Sequence, residues 1–228
     1  MAQYLKDAVR GRIIAAAAMV FARHGFADAT IGEIAAAARI SPGNIYRYYE
    51  NKRVLFDDVV SAAFARRFTA LLSRRVRSLD GVDDVRALEA RYLYHLASED
   101  LLRFCIDNRL RVVILLGRSQ GSRYAHFGER TVRNLIDLAI AHFRALRPEI
   151  ELTDALRFNL RQIYHGFVKT MVTVLESFDD EPTIREIVAG YTRYHLAGLK
   201  HLFEGTADEP APAATRYQRR PAGRRRRR

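Results

Sequence analysis

Residues 30–49 read TIGEIAAAARISPGNIYRYY, and how this stretch folds decides the rest of the chain. Thr30 followed by Glu33 is a reciprocal capping box: the threonine hydroxyl accepts from the third helical amide while the glutamate reaches back to the cap amide. It opens a short helix with Ile31, Ile34, Ala35 and Ala38 on its inner face. Only Arg39 and Ile40 separate it from a second start, Ser41 as N-cap with Pro42 in the first helical position, where a missing N–H costs nothing. This helix should reach about Tyr49, with Ile45 and Tyr49 inward and Gly43, Asn44, Tyr46, Arg47 and Tyr48 outward. Two short helices across so tight a turn outline a helix-turn-helix, whose second helix enters the DNA major groove.

Upstream, Leu5, Val9, Ile13, Ala17, Val20 and Phe21 fall on one face of a helix expected over residues 5–23, with Gly25 placed for a left-handed C-cap. Downstream, Asn51 is expected to cap one long helix over 52–76, with Leu55, Val59, Ala62 or Ala63, Phe64 and Phe68 along its apolar stripe. Further helices are expected over 82–98, 101–116, 126–146, 152–178 and 183–203, punctuated by Gly81, Gly117, Gly121, Pro148 and Pro182. No alternating strand of useful length occurs, so the fold class is all-α with about nine helices. The expected organisation is a helix-turn-helix domain over 1–51, a helical domain over 52–205 and a disordered Arg-rich tail over 206–228, whose composition cannot offset the cost of ordering.

The chain has 228 residues, 49% of them hydrophobic, which excludes wholesale disorder. Its formal charge of +12 points to a polyanionic partner, but Arg216, Arg219, Arg220 and Arg224 to Arg228 supply eight of those charges and leave +4 for the rest. Cys105 is the only cysteine, which suits a reducing, cytoplasmic setting and rules out an intramolecular disulfide. The apolar run 13–22 is too short to span a membrane, and its imitation of a signal peptide is spoiled by Asp7, Arg23 and His24. There is no Gly-rich phosphate loop, nucleophile elbow or His-Glu-x-x-His motif, so neither an enzyme nor a cofactor is expected. His95 and Glu99 stand four apart but lack a third ligand, so no metal is expected.

The outward face of the third helix carries donors, a close-approach glycine and planar rings, where an inert surface would carry Glu, Lys and Ala. Lys52 and Arg53 sit in the first turn of the fourth helix, where the macrodipole disfavours cations, and so argue for an external anion such as phosphate. Against this stand a small bundle that binds nothing and a nucleoid- or membrane-surface protein whose basic tail does the binding without an effector pocket.

Phe21, Gly25 and Phe26, then 30–35, then 40–49, then Lys52 and Leu55 together resemble the DNA-binding domain of the TetR (tetracycline-repressor) family of bacterial transcription regulators. The resemblance implies that Thr30 caps its helix near a phosphate, that Ser41, Pro42 and Gly43 bring backbone close to the DNA, and that Tyr46 and Lys52 bind phosphate. Asn44, Arg47 and Tyr48 would face bases or the adjoining backbone. Arg47 could pair bidentately with guanine or simply hold a phosphate. Arg39 departs from the family, which commonly has Gly in this turn; a left-handed arginine costs on the order of 1 kcal/mol. Tyr49 stands where Phe is usual, a mild change if its hydroxyl finds a partner.

The resemblance further implies a homodimeric repressor on a palindromic double-stranded operator, released by a small-molecule effector, with the last two helices pairing across the dimer. Asn159, Gly166, Thr170, Thr173 and Ser177 form a small-residue track on one helix, and Gly190, Tyr194 and Gly198 a second on the next; both are candidates for the dimer seam. Candidates for an apolar or aromatic effector pocket are Phe68, Tyr92, Leu96, Phe104, Leu115, Tyr124, Phe127 and Tyr164, with Asn108 and His165 as polar partners. Phe143, Phe167 and Gln162 belong to the same region.

Overall fold

The computed structural model describes residues 2–80 and 92–204, with the side chains of 2–5, 92 and 204 outside the description. The described residues form ten helices and no strand: α1 (Ala2–Asp28), α2 (Ile31–Ala38), α3 (Pro42–Tyr46), α4 (Lys52–Val59), α5 (Ala62–Arg77), α6 (Tyr92–Asp107), α7 (Arg109–Gly117), α8 (Phe127–Leu146), α9 (Asp154–Ser177) and α10 (Glu181–Glu204). The first ten residues of the expected 82–98 helix, and the tail over 206–228, lie outside the described residues. No helix among the described residues is long and apolar enough to cross a membrane.

The helix-turn-helix is held by a small core in which Ile13, Ala17 and Phe21 of α1 meet Ile34, Ala35 and Ala38 of α2, Ile45 of α3, and Leu55 and Phe56 of α4. Phe21, Phe26 and Phe56 interlock, with Phe26 and Phe56 edge to face at 4.7 Å. Each such side chain, removed from water, contributes roughly 1.5–3 kcal/mol.

Gly25 does not form the expected left-handed cap. Its φ of 79° with ψ of 164° is an extended conformation open only to glycine, and α1 resumes for one more turn. The reason is tertiary: the next amide, Phe26 N–H, donates to the carbonyl of Arg118 at the end of α7, 2.9 Å away.

The expected long fourth helix is two helices. Val60 leaves helical geometry, and Ser61 caps anew, its hydroxyl accepting from Phe64 N–H at 3.2 Å. Leu55, Phe56, Val59 and Val60 are buried before the break, and Phe64, Ala65, Phe68 and Leu72 after it. At 100° per residue, those two sets would face roughly 165° apart on one straight helix. The break lets both be buried.

The boundary expected near residue 100 also moves. α6 runs through Glu99 and Asp100, helped by a Glu99–Arg103 ion pair one turn apart, and ends at Asn108, whose Nδ2 donates to Phe104 O at 3.0 Å. In the second body α9 packs against α7, α8 and α10, while α5 lies on α6 and α8. Phe143 stacks on Phe203 at 3.9 Å and Phe64 on Phe104 at 5.1 Å.

Candidate functional site

The capping box forms as read: Thr30 N–H and hydroxyl both donate to Glu33 Oε2 at 2.8 Å, and Glu33 N–H donates to the Thr30 hydroxyl at 3.2 Å. These bonds hold the Glu33 carboxyl below its usual pKa. At the far end of α2, Arg39 is left-handed (φ 57°, ψ 46°), with its own N–H on Ala36 O and that of Ile40 on Ala35 O, a Schellman pair that satisfies the last carbonyls.

α3 is shorter than expected: Tyr48 and Tyr49 amides both return to Ile45 O in a closing turn. Ser41 stands at the N-cap, yet its side chain makes no capping bond. Thr30, Ser41, Pro42, Gly43, Tyr46 and Arg47 are exposed, Tyr46 at 55%. Asn44 is half-buried, and Tyr48, also half-buried, packs on the core. Of the nine candidates, six are thus exposed, and Asn44, Tyr48 and Lys52 are half-buried.

Lys52 corrects the electrostatic argument. Its ammonium donates to Ala27 O at 3.0 Å and Ala29 O at 2.7 Å, and lies 4.8 Å from the centre of the Phe26 ring. The cation is drawn to carbonyls at the α1–α2 corner, which accounts for its place in the first turn of α4 without calling on an outside anion.

Tyr49 finds its partner. The hydroxyl donates to Asp58 at 2.6 Å and accepts from Arg10 at 3.3 Å, and Arg10 pairs with the same carboxylate oxygen at 2.8 Å. Burial and that carboxylate push the phenol up to about 12. Arg10 and Asp58 thus brace α3 between α1 and α4; separations of 39 and nine residues gave the sequence reading no sign of it.

Residues 13–59 match the bacterial regulatory proteins, tetR family. The likeness to the TetR family is over these residues, the helix-turn-helix and the helices on either side of it. It is 39% identical over 98 residues to the HTH-type transcriptional repressor SCO4008 of Streptomyces coelicolor; the match covers 42% of this chain and 47% of that repressor, so the two are comparable over less than half of either. Among solved structures it is similar to a TetR-like transcriptional regulator from Rhodococcus sp. RHA1, at TM-score 0.45 and 20% identity over 88% of this chain and 97% of that one. It is also similar to NalD, the secondary repressor of the MexAB-OprM multidrug efflux pump in Pseudomonas aeruginosa, at TM-score 0.34 and 17% identity over 82% and 96% of the two chains. These superpositions are loose, and the likeness to the family rests on residues 13–59.

Outside residues 13–59 lies a cavity of about 830 Å³, walled by α5 to α10. Of the ten pocket candidates, Phe68 and Tyr164 line it. Leu96 is on the outside, Leu115 is solid core, and Phe104 stacks on Phe64. Asn108 serves α6, and His165 faces Glu129 at 3.6 Å. Tyr124 and Phe127 join Phe56 to Phe68 in a row of rings. The side chain of Tyr92 lies outside the described residues.

The polar lining was missed: Arg75, Tyr94, Ser98 and His195 all face the cavity. A signal existed. Arg75 interrupts the stripe Phe68, Leu72, Val76 and Leu79, and His195 interrupts Ile184, Val188, Leu199 and Phe203. Burial together with the positive charge of Arg75 depresses His195 to about 4. Glu99 is tied to Arg185, and among the described residues no group of three His, Cys, Asp or Glu could hold a metal.

On the last two helices, Asn159, Gly166, Thr173, Ser177, Tyr194 and Gly198 are exposed, with Thr170 and Gly190 half-buried. A Cβ on Gly166, Gly190 or Gly198 would meet nothing within 4 Å. Tyr194 is 74% exposed and Phe158 60%.

Proposed function

We propose that the protein is a cytoplasmic, sequence-specific transcriptional regulator and not an enzyme, a homodimeric repressor that leaves a palindromic operator when a small molecule fills the cavity. The observation that carries it is the capped helix-turn-helix with Ser41, Gly43, Tyr46 and Arg47 all exposed. Residues 1–51 would read the DNA, with Arg47 on a base edge or phosphate and Tyr46 on phosphate, while Lys52 works behind them at the α1–α2 corner. Residues 52–205 would hold the effector and the partner subunit.

A single helix-turn-helix covers too few base pairs to be selective, and two are needed at a spacing of about 34–36 Å. The unpartnered tracks of α9 and α10 supply a surface on which two copies can meet closely. The cavity supplies the effector site: it has the size of a drug-like ligand and is mostly apolar.

The test is binding of the full chain to its own upstream region against random DNA at matched salt. A clear preference, weakened throughout by Tyr46→Ala and altered in sequence by Arg47→Ala, is the expected result. No preference would defeat the proposal. Removing residues 216–228 should leave the preference in place; loss of most binding would transfer the function to the basic tail.

A further inference from the structure

The cavity is lined unevenly in charge. Its lysine and arginine side chains are Arg75, Arg193 and Lys200, and among the described residues its one carboxylate is Glu99. Glu99 is already committed: Arg185 Nη1 and Nη2 each donate to one of its oxygens at 2.7 Å and hold its pKa down. Among the described residues Arg75 has no such counter-ion. Its half-buried guanidinium donates from Nη2 to the Tyr94 hydroxyl at 3.0 Å and lies 5.3 Å from that ring's centre, whereas the neighbouring Arg74 turns away to Asp100 at 2.8 Å. A guanidinium partly withdrawn from water and facing an apolar volume is costly until an anion joins it.

The groups around Arg75 are neutral donors. Tyr164 on α9 and His195 on α10 face the same cavity, close enough for the charge on Arg75 to act on both. Burial keeps the Tyr164 phenol protonated, and His195 uncharged. Ser98, one turn beyond Tyr94, has its Oγ sealed from solvent without a hydrogen-bond partner among the described residues. With Arg193 exposed to water and Glu99, the one acid among the described lining residues, already occupied, Arg75 and these neutral O–H and N–H groups are a donor set for an oxyanion. Most of the remaining wall is apolar, with Leu72, Val76, Leu135, Phe143 and Val168 prominent.

We infer that the cavity takes a carboxylic acid with an apolar body, its carboxylate bound by Arg75 beside Tyr94. The inference rests on the reading of the cavity as the effector site. Selectivity then comes from the head group: a neutral or cationic molecule of the same shape fills the apolar space but leaves the guanidinium unpaired in a drier site.

The experiment is calorimetric titration of the full chain with decanoate, decanol and decylamine, which share one body and differ in head. Decanoate should bind about tenfold tighter than decanol, and decylamine weakest, the scale of one charge-assisted pair. Arg75→Met should level decanoate with decanol, Arg75→Lys should keep most of the preference, and Tyr94→Phe should lose part of it. Equal affinity of the three in the unaltered chain, no binding by any of them, or a preference that survives Arg75→Met would overturn the inference. Release of operator DNA is scored separately. Decanoate that binds without releasing DNA defeats the effector reading and leaves the inference standing; release by all three alike does the reverse.

Discussion

Lys52→Met separates two roles for one residue. Methionine keeps the apolar stem against Phe26 and removes only the ammonium. The lost bonds are one exposed, to Ala27 O, and one part-buried, to Ala29 O, together with the cation over the Phe26 ring. An exposed charge-assisted bond contributes about 0.5 kcal/mol, a part-buried one about 1, and the ring contact about 0.5. Against this, removing a cation from the first turn of α4 returns a few tenths of a kcal/mol. The net loss is about 1.5 kcal/mol, a fall in Tm of roughly 3–6 °C for a chain of this size. The assay is thermal unfolding by circular dichroism at fixed protein concentration, paired with operator binding across a salt series. Each phosphate neutralised adds about 0.9 to the slope of log affinity against log salt. Because the ammonium is turned into the fold, the slope should be unchanged in Lys52→Met. A Tm within about 1 °C of the parent, with a slope smaller by about 1.8 for the two Lys52 of a dimer, would refute this reasoning and return Lys52 to the phosphate.

Gly128→Ala should destabilise by about 1–3 kcal/mol, since a Cβ there overlaps the Leu116 carbonyl oxygen and backbone cannot step aside as a side chain can; chemical denaturation reads it. Tyr49→Phe should cost about 1 kcal/mol in the same assay, because Asp58 keeps Arg10 but loses the hydroxyl. His195, depressed from 6.5 to about 4, stays neutral in the fold while the unfolded chain takes up a proton. Its contribution is therefore complete above pH 6.5 and lost as pH falls towards 4, on the order of 3 kcal/mol in all. Stability measured from pH 7 to pH 4 should fall less steeply in His195→Phe than in the parent.

The helix-turn-helix was legible because its signals are local. Capping box, N-cap proline and inner-face spacing are written within a few residues of one another, whereas the left-handed Arg39 was expected only from the resemblance. Lys52 shows where local reading ends: its place in a helix was clear, but the carbonyls it meets lie 23 and 25 residues upstream. The pocket failed for a different reason. Aromatic residues at helical spacing mark burial, and burial is shared by core and cavity wall alike. The informative residues were the polar ones inside apolar stripes, Arg75 and His195, which a reading weighted towards rings passed over. The break at Val60 was legible in principle, since the buried faces before and after it cannot belong to one straight helix.

That break bears on how the proposed release would travel. A continuous fourth helix would carry a shift of the cavity wall into the DNA-binding domain as a rod, but the hydrogen-bond ladder stops at Val60 and restarts from Ser61. A second connection is more firmly made. The loop after α7 gives Arg118 O to Phe26 N–H, pairs Arg123 with Asp57 at 3.1 Å, and packs Gly121 against Phe26. Arg118 reaches Glu176 on α9 at 3.0 Å. Alongside runs the row of rings from Phe68 in the cavity wall through Phe127 and Tyr124 to Phe56. Contact alone does not establish coupling; that requires an arrangement whose equilibrium both sites bias. Gly25 supplies the place to look, for its glycine-only conformation exists to present Phe26 N–H to Arg118. If filling the cavity displaces the end of α7, that bond is the one that must break or drag α1 with it, and α1 packs against both α2 and α4.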